Sequence, residues 1–471
     1  MAILTDTDVT VVSNPATGEE VGRVPRLGAG AAADAVARAA AAFPDWWETP
    51  AARRGELVHE AASAVLAARD ELALHLTLEQ GKPLREARIE ITRFVHTLEH
   101  YAGLAKNLRG AYVPNLDVRT HGLVLKRPLG VVVAIVPWNF PTTLLGNKLG
   151  PALVCGNVLV AKPAETTPLT TLRIAEIMRE HGLPENVFQV VTGKGSVLGE
   201  ALVTDPRVAK VAFTGSTPVG KHVAELAARR VKRVTLELGG SDPMIVLEDA
   251  DVDGAVSAAS VGRFFNCGQA CLAIKRLYLQ EPIADEFVEK LLGKIGRLTV
   301  GAGTAEGTTI GPLHSEERRS TLEGQVDSTL ARSGELLAGG RRPDGDAYAN
   351  GWFYEPTLIL EPPLDSKMAT EEVFGPALPI WRIRDLEEGV QRANASAFGL
   401  GSSVWTRDLT AATIAAEKLE AGYTWINSSQ IVYDELPFGG FGESGLGKEH
   451  GIEALDYYQE AKAVVVRQSP R

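Results

Sequence analysis

The sequence predicts an α/β protein built on two mostly parallel sheets, and three observations predict it. Short β-branched runs recur at 131–136, 158–161, 187–191, 208–213 and 234–238, with helical patterns between them at 142–153, 169–181, 196–203 and 219–229. Strands that alternate with helices make βαβ units. The runs are largely continuous in apolar character rather than alternating, as strands covered on both faces require. A second alternating set starts near Pro243, and 471 residues leave room for one to three domains.

The elements follow in chain order. Residues 29–42 are alanine-rich and read as helix. Thr49 and Pro50 suit the start of a further helix, whose apolar positions Leu57, Ala61, Val65, Ala68, Leu72 and Leu76 keep helical spacing. Gly81 ends it and Pro83 prevents continuation. After the first alternating set come a strand at 244–247, helices at 284–295 and 316–331, and strands at 357–360, 378–383 and 402–405. Residues 339–345, rich in Gly, Arg, Pro and Asp, form a surface loop. Two short apolar segments, 123–125 and 463–466, stand apart between charges; each is too short for its own sheet. They are expected to pair with each other and with a neighbouring subunit.

Composition narrows the function. The chain is 45% hydrophobic and 23% charged, as ordinary globular chains are. Its net charge of −11 argues against nucleic acid as a partner. Cys155, Cys267 and Cys271 give no disulfide framework and fit a reducing compartment. The start, Met1-Ala2-Ile3-Leu4-Thr5-Asp6, has neither a basic nor an apolar signal region, and no run is long enough to span a bilayer. A cytoplasmic enzyme without a metal site, neither membrane-bound nor nucleic-acid-binding, is expected.

Three motifs carry chemistry. Phe265-Asn266-Cys267-Gly268-Gln269-Ala270-Cys271 is a loop of small residues around a thiol, and a thiolate attacks carbonyl carbon well. Leu236-Glu237-Leu238-Gly239-Gly240 puts an acid at the end of an apolar strand, where burial raises its pKa towards that of a general base. Pro137-Trp138-Asn139-Phe140-Pro141 puts an amide after the 131–136 strand, suited to stabilising an oxyanion. The usual G-x-G-x-x-G turn is absent. Instead, Phe213-Thr214-Gly215-Ser216-Thr217-Pro218-Val219-Gly220 joins a strand to a helix, whose first amides suit a pyrophosphate.

Together these motifs resemble the aldehyde dehydrogenase superfamily over nearly the full chain, in its hydrolytic, non-phosphorylating branch. The resemblance implies an α/β aldehyde dehydrogenase fold with a Rossmann-like cofactor domain (1–110 and 129–239), an α/β catalytic domain (240–440) and a small β oligomerisation unit (111–128 and 441–471). It implies Cys271 as nucleophile, Glu237 as base for the hydrolytic water and Asn139 as oxyanion donor, with Lys148 and Glu449 organising the water or proton path. Gly215, Ser216 and Gly220 meet the pyrophosphate, Lys162 and Glu165 the adenine ribose, and Glu372 and Phe374 the nicotinamide half; Pro137, Trp138 and Leu238 line the same site. A carboxylate at Glu165 favours NAD and leaves NADP open. Ser241 stands where the family usually has a lysine. Cys267 is expected to be a packed bystander, with a redox pairing to Cys271 as a weaker idea.

The substrate implied is a small aldehyde. Succinate-semialdehyde-type members commonly carry arginines where this chain has Asn147 and Phe265. With Phe140, Val432 and Phe438 completing the pocket, a neutral aliphatic or aromatic aldehyde is expected, with succinate semialdehyde as the alternative if Arg263 or Arg276 points inward. A CoA-acylating relative is expected to lack the base at Glu237, and a non-catalytic NAD-binding protein to lack Cys271 or Glu237. A homodimer or homotetramer is expected.

Overall fold

The computed structural model describes residues 9–469. Its first sheet grows from the valine-rich run Val131–Ile135, which is buried almost throughout. Beside it on one side lie Val158–Lys162 and Phe188–Val190; on the other lie Val208–Thr214 and Arg233–Glu237. All five are parallel, and the two-residue strand Gly445–Leu446 closes the edge antiparallel to Arg233–Glu237. The chain steps outward from Val131–Ile135, then returns to Val208–Thr214. In open parallel sheets, ligands bind beyond the carboxyl ends at such a reversal. Those ends run here into Pro137-Trp138-Asn139 and Gly215-Ser216.

The second sheet has seven strands in the order Glu335–Ala338, Thr357–Leu360, Ala377–Ile383, Ile274–Gln280, Asp242–Val246, Gly401–Trp405, Tyr423–Ile426. Only Glu335–Ala338 is antiparallel to its neighbour. The chain leaves the first sheet at Glu237 and enters the second at Asp242. The carboxyl edge of one sheet therefore faces the amino edge of the other. Cys271 lies just before Ile274–Gln280 and Phe374 just before Ala377–Ile383, so both loops fall at this junction.

A third, three-stranded sheet joins Ala111–Asp117, Thr120–Pro128 and Gln459–Arg467. The register pairs Leu123 with Val464 and Val124 with Ala463, so the two short apolar segments meet as expected. Tyr112, Leu125 and Val465 are exposed on it, and Val118 is exposed at the turn between its first two strands. Residues 441–458 do not belong to this unit, contrary to the expected boundary. Gly445–Leu446 joins the first sheet, and Leu455 and Tyr458 are buried in that sheet's core.

Two further readings are corrected. The helix expected after Pro50 is two, Ala51–Ala67 and Arg69–Gln80, broken at Ala68, whose backbone is not helical (φ −92°, ψ 12°). Thr49 closes the preceding helix, Ala29–Glu48, by donating its hydroxyl to the Asp45 carbonyl at 2.9 Å. Gly81 does end the second helix, in a left-handed conformation (φ 101°) that glycine adopts without cost.

Asn157 ties the first sheet to the returning C-terminal segment. Fully buried, it accepts from Leu129 N (2.7 Å) and Gly130 N (2.9 Å) and donates to Tyr458 O (2.9 Å). Asn157→Ala should destabilise the protein by about 2–4 kcal/mol, the scale of one or two stranded buried groups. Urea denaturation of the two chains checks this.

Candidate active site

Two helix turns supply the scaffold. Glu86 and Glu90, one turn apart on helix Leu84–Leu104, face the same way. Glu90 Oε1 accepts from Thr142 N and Thr142 Oγ1 (both 2.9 Å), fixing the start of helix Pro141–Val154. Its other oxygen pairs with the buried Lys82, which also donates to Asn139 O at 2.7 Å. Glu86 accepts from Asn266 N at 2.8 Å, and burial pushes its carboxyl up to about 7.

The nucleophile loop is strained and clamped. Asn266 and Cys267 have φ of 50° and 55°, a conformation that side chains other than glycine adopt at a cost. Gly268 follows in the same region, and a Cβ there would overlap Gly375 O. Gln269 holds the turn, donating to Asn266 O (3.1 Å) and accepting from His314 N (2.8 Å). Arg263 is fully buried beneath it and donates to the carbonyls of Gly268, Ile274, Val373 and Gly375. Arg276 donates to the carbonyls of Ser241, Arg392 and Ala393. Both guanidinium groups are engaged by main chain, so neither is the inward-pointing cation of the alternative reading.

Cys271 and Asn139 line one cavity with Pro137, Trp138, Leu238 and Glu372. Gly215, Ser216 and Phe374 line it too. The Asn139 amide donates one N–H to Gln269 O at 3.0 Å, leaving its second hydrogen for another acceptor. Cys271 is half-buried. Burial pushes its thiol up to about 12, against the pull of Lys275, with Asp242, Glu372 and Glu237 adding to the rise.

Glu237 is buried at the strand end, and among the described residues neither of its oxygens has a hydrogen-bond partner. Burial first and the Glu449 carboxylate second hold it well above the ordinary carboxylate range, with Lys148 and Lys448 opposing. Lys148 and Glu449 form a buried pair at 2.6 Å, and Lys148 also donates to Thr214 Oγ1 at 2.6 Å. Asn147 donates to Glu449 at 3.0 Å, so it belongs to this network and does not line the cavity.

The remaining predicted residues fall into two groups. Phe140 and Phe265 stand parallel, ring centres 6.2 Å apart. Val432 and Phe438 pack with Cys271, Leu272, Leu400, Tyr423 and Trp425. None of these four predicted wall residues lines the cavity of Cys271 and Asn139. On the other side, Glu165 accepts from Gly195 N at 3.0 Å, and the buried Lys162 has its pKa lowered by desolvation. The Thr217–Ala228 helix begins at Ser216, and a Cβ at Gly220 would overlap the Leu238 side chain. Trp138 stacks on His314, ring centres 4.4 Å apart. Sequence reasoning missed Lys82, Glu86, Glu90, Lys275 and His314. For Glu86 and Glu90 the signal was an i, i+4 acid pair on an otherwise apolar helix face.

The model of the aldehyde dehydrogenase family matches residues 4–464. The chain belongs to this family. It is an oxidoreductase that oxidises aldehydes with NAD(P). It is similar to the NADP-dependent succinate-semialdehyde dehydrogenase of Escherichia coli (strain K12), 38% identical over 97% of this chain and 94% of that one. It is equally similar to the phenylacetaldehyde dehydrogenase of Pseudomonas fluorescens, 39% identical over 97% of this chain and 92% of that one. Among solved structures, betaine aldehyde dehydrogenase from Staphylococcus aureus in complex with NAD+ superposes with a TM-score of 0.96 at 34% identity, covering 99% of this chain and 93% of that one. Among the described residues, no helix of this aldehyde dehydrogenase is long and apolar enough to cross a membrane.

Alkylation of the free enzyme by iodoacetamide should fall on Cys271 and spare the buried Cys155 and Cys267. With the thiol pushed up to about 12, the thiolate fraction grows tenfold per pH unit below that value. The Cys271 rate should therefore still be climbing at pH 9.5, as peptide mass spectrometry against pH will read.

Proposed function

We propose that Cys271 is the nucleophile, Asn139 the oxyanion donor and Glu237 the base of an NAD-preferring dehydrogenase for neutral aldehydes. The observation that carries the mechanism is one cavity shared by the Cys271 thiol and the Asn139 amide, with the unpaired Glu237 carboxyl on the strand that leads into its wall. The lining fits a dinucleotide. Gly215 and Ser216 begin a helix that favours phosphate, and Glu372 and Phe374 stand on the far wall. A dinucleotide held by these residues would supply the hydride acceptor for the oxidation.

The chain's own residues do the rest. The Cys271 sulfur adds to the carbonyl carbon, and Asn139 Nδ2 donates to the oxygen as charge develops there. Loss of hydride leaves a thioester on Cys271. Glu237, a stronger base for its raised pKa, takes a proton from water, which attacks the thioester and releases the acid. Lys148 and Glu449 hold the floor beneath Glu237 by their buried pair.

The neutral substrate is supported by the parallel Phe140 and Phe265 rings and by Val432 and Phe438 against Cys271. The engaged state of Arg263 and Arg276 supports it too. The E. coli relative favours a second reading, succinate semialdehyde. Preference for NAD rests on Glu165, whose carboxylate repels a ribose phosphate. The three-stranded sheet, with its exposed Tyr112, Leu125 and Val465, supports assembly as a homodimer or homotetramer. A cytoplasmic location is supported by the cysteine usage.

Glu237→Gln should slow steady-state NADH formation by about two to four orders of magnitude, the scale of a lost general base. A stopped-flow burst of one NADH per site should survive, because the thioester still forms. Cys271→Ala should abolish both phases. Phenylacetaldehyde should show a higher kcat/KM than succinate semialdehyde. A carboxylate tail packed against apolar side chains loses hydration, which costs about 1–3 kcal/mol or more. Initial rates with the two aldehydes, each with NAD and NADP, decide between the two readings.

A further inference from the structure

Lys275 is the second residue of Ile274–Gln280, a strand otherwise buried and largely apolar, and its side chain is wholly buried. A buried ammonium is costly unless it is paired and hydrogen-bonded. Lys275 donates to Cys271 O at 2.5 Å and to Glu372 Oε1 at 2.9 Å, and stands 5.8 Å from the centre of the Phe374 ring. Glu372 accepts from Gly240 N through the same oxygen at 3.0 Å, and a Cβ on Gly239 would clash with its carboxylate. One cation thus joins the nucleophile loop, the Gly239-Gly240 link and the loop of Glu372 and Phe374. Ser241, next in the link, contributes a buried hydroxyl and no charge.

We propose that Lys275 is a positioning residue of the cofactor site: it holds the Glu372 carboxylate against the Gly239-Gly240 link and pins the Cys271 carbonyl, so that the nicotinamide wall and the nucleophile are set together. This rests on the reading of the cavity as the dinucleotide site. Four groups face the Cys271 thiol in this region. Glu372, Asp242 and Glu237 disfavour the thiolate, and Lys275 favours it. Removing the ammonium leaves the acids unopposed, so the thiolate becomes harder to form. It also frees Glu372 from its anchor, so cofactor affinity falls, while Phe140, Phe265, Val432 and Phe438, none of which lines that cavity, stay in place.

The test uses the full chain with Lys275→Met, Lys275→Arg, Glu372→Gln and the Lys275→Met/Glu372→Gln double variant. Lys275→Met should weaken NAD binding by calorimetry at least tenfold and raise the KM for NAD similarly, with the KM for aldehyde within twofold. The pH profile of Cys271 alkylation should move to higher pH. Lys275→Arg should recover most of both effects. The double variant should bind NAD within twofold of Glu372→Gln, because the two residues act as one unit. NAD affinity within twofold of the unmodified enzyme, an unmoved alkylation profile, or additive losses in the double variant would each overturn the proposal. Should Lys275→Met fail to fold, Lys275→Gln, which keeps a donor and loses the charge, carries the same comparisons. An unmodified enzyme that binds NAD but oxidises no aldehyde would refute the functional reading and leave the binding and alkylation comparisons to judge Lys275.

Discussion

The buried Lys82–Glu90 pair is the interaction on which the rest of the site depends. It joins three segments that the fold brings together from different directions: helix Leu84–Leu104, the turn at Asn139 and the start of helix Pro141–Val154. Lys82 and Asn266 both donate to the carbonyl of Asn139, which fixes the peptide from which the amide side chain projects. Removing one partner of such a pair leaves an uncompensated buried charge, a loss of about 3–5 kcal/mol. Glu86, one turn earlier, does the same service for the nucleophile loop through Asn266 N. One helix face thus aligns the proposed oxyanion donor with the proposed nucleophile.

This arrangement follows from how the two sheets meet. A parallel sheet presents its ligand-binding loops at its carboxyl edge. The first sheet does so with Asn139, Gly215 and Glu237. The second sheet offers its amino edge instead, with Cys271 and Phe374 just before strands. The short link from Glu237 to Asp242 forces the two edges together, and glycine at 239 and 240 lets Glu372 and the Cys271 carbonyl approach that link. The site is therefore a seam, and neither sheet carries it alone.

Much of this was legible in the sequence. The continuous apolar runs located the first sheet because its strands are covered on both faces, and the pairing of the two short outlying segments came out in register. The motif residues Asn139, Cys271 and Glu372 fall around one cavity, with Glu237 leading into it. What was missed has physical reasons. Ile274–Gln280 carries Lys275 and Arg276 inside a buried strand, which breaks the apolar signal, and only tertiary partners make those charges tolerable. Ala68 keeps helical spacing across a break in direction, since its periodicity continues into Arg69–Gln80. Asn147 read as a pocket residue because only the structure shows the Glu449 carboxylate that claims it.

Three buried lysines share one design. Lys82 joins Glu90 to the carbonyl of Asn139; Lys148 joins Glu449 to Thr214 and the carbonyl of Leu144; Lys275 joins Glu372 to the carbonyl of Cys271. Each ties a carboxylate to the main chain of a loop or helix at the seam, Glu449 and Glu372 coming from distant segments and Glu90 from the helix that follows Lys82. Hydrophobic replacements of such pairs often raise stability, so their presence is better explained by geometry than by folding energy. An ammonium with three donors fixes a carbonyl and a carboxylate at once, which an apolar contact does not do. Against this background Glu237 stands apart: it is a buried acid whose pKa the Glu449 carboxylate raises further, and among the described residues neither of its oxygens is hydrogen-bonded. An acid with both oxygens unpaired keeps its lone pairs for a reactant, and burial makes it hold a proton more tightly than an ordinary carboxylate does.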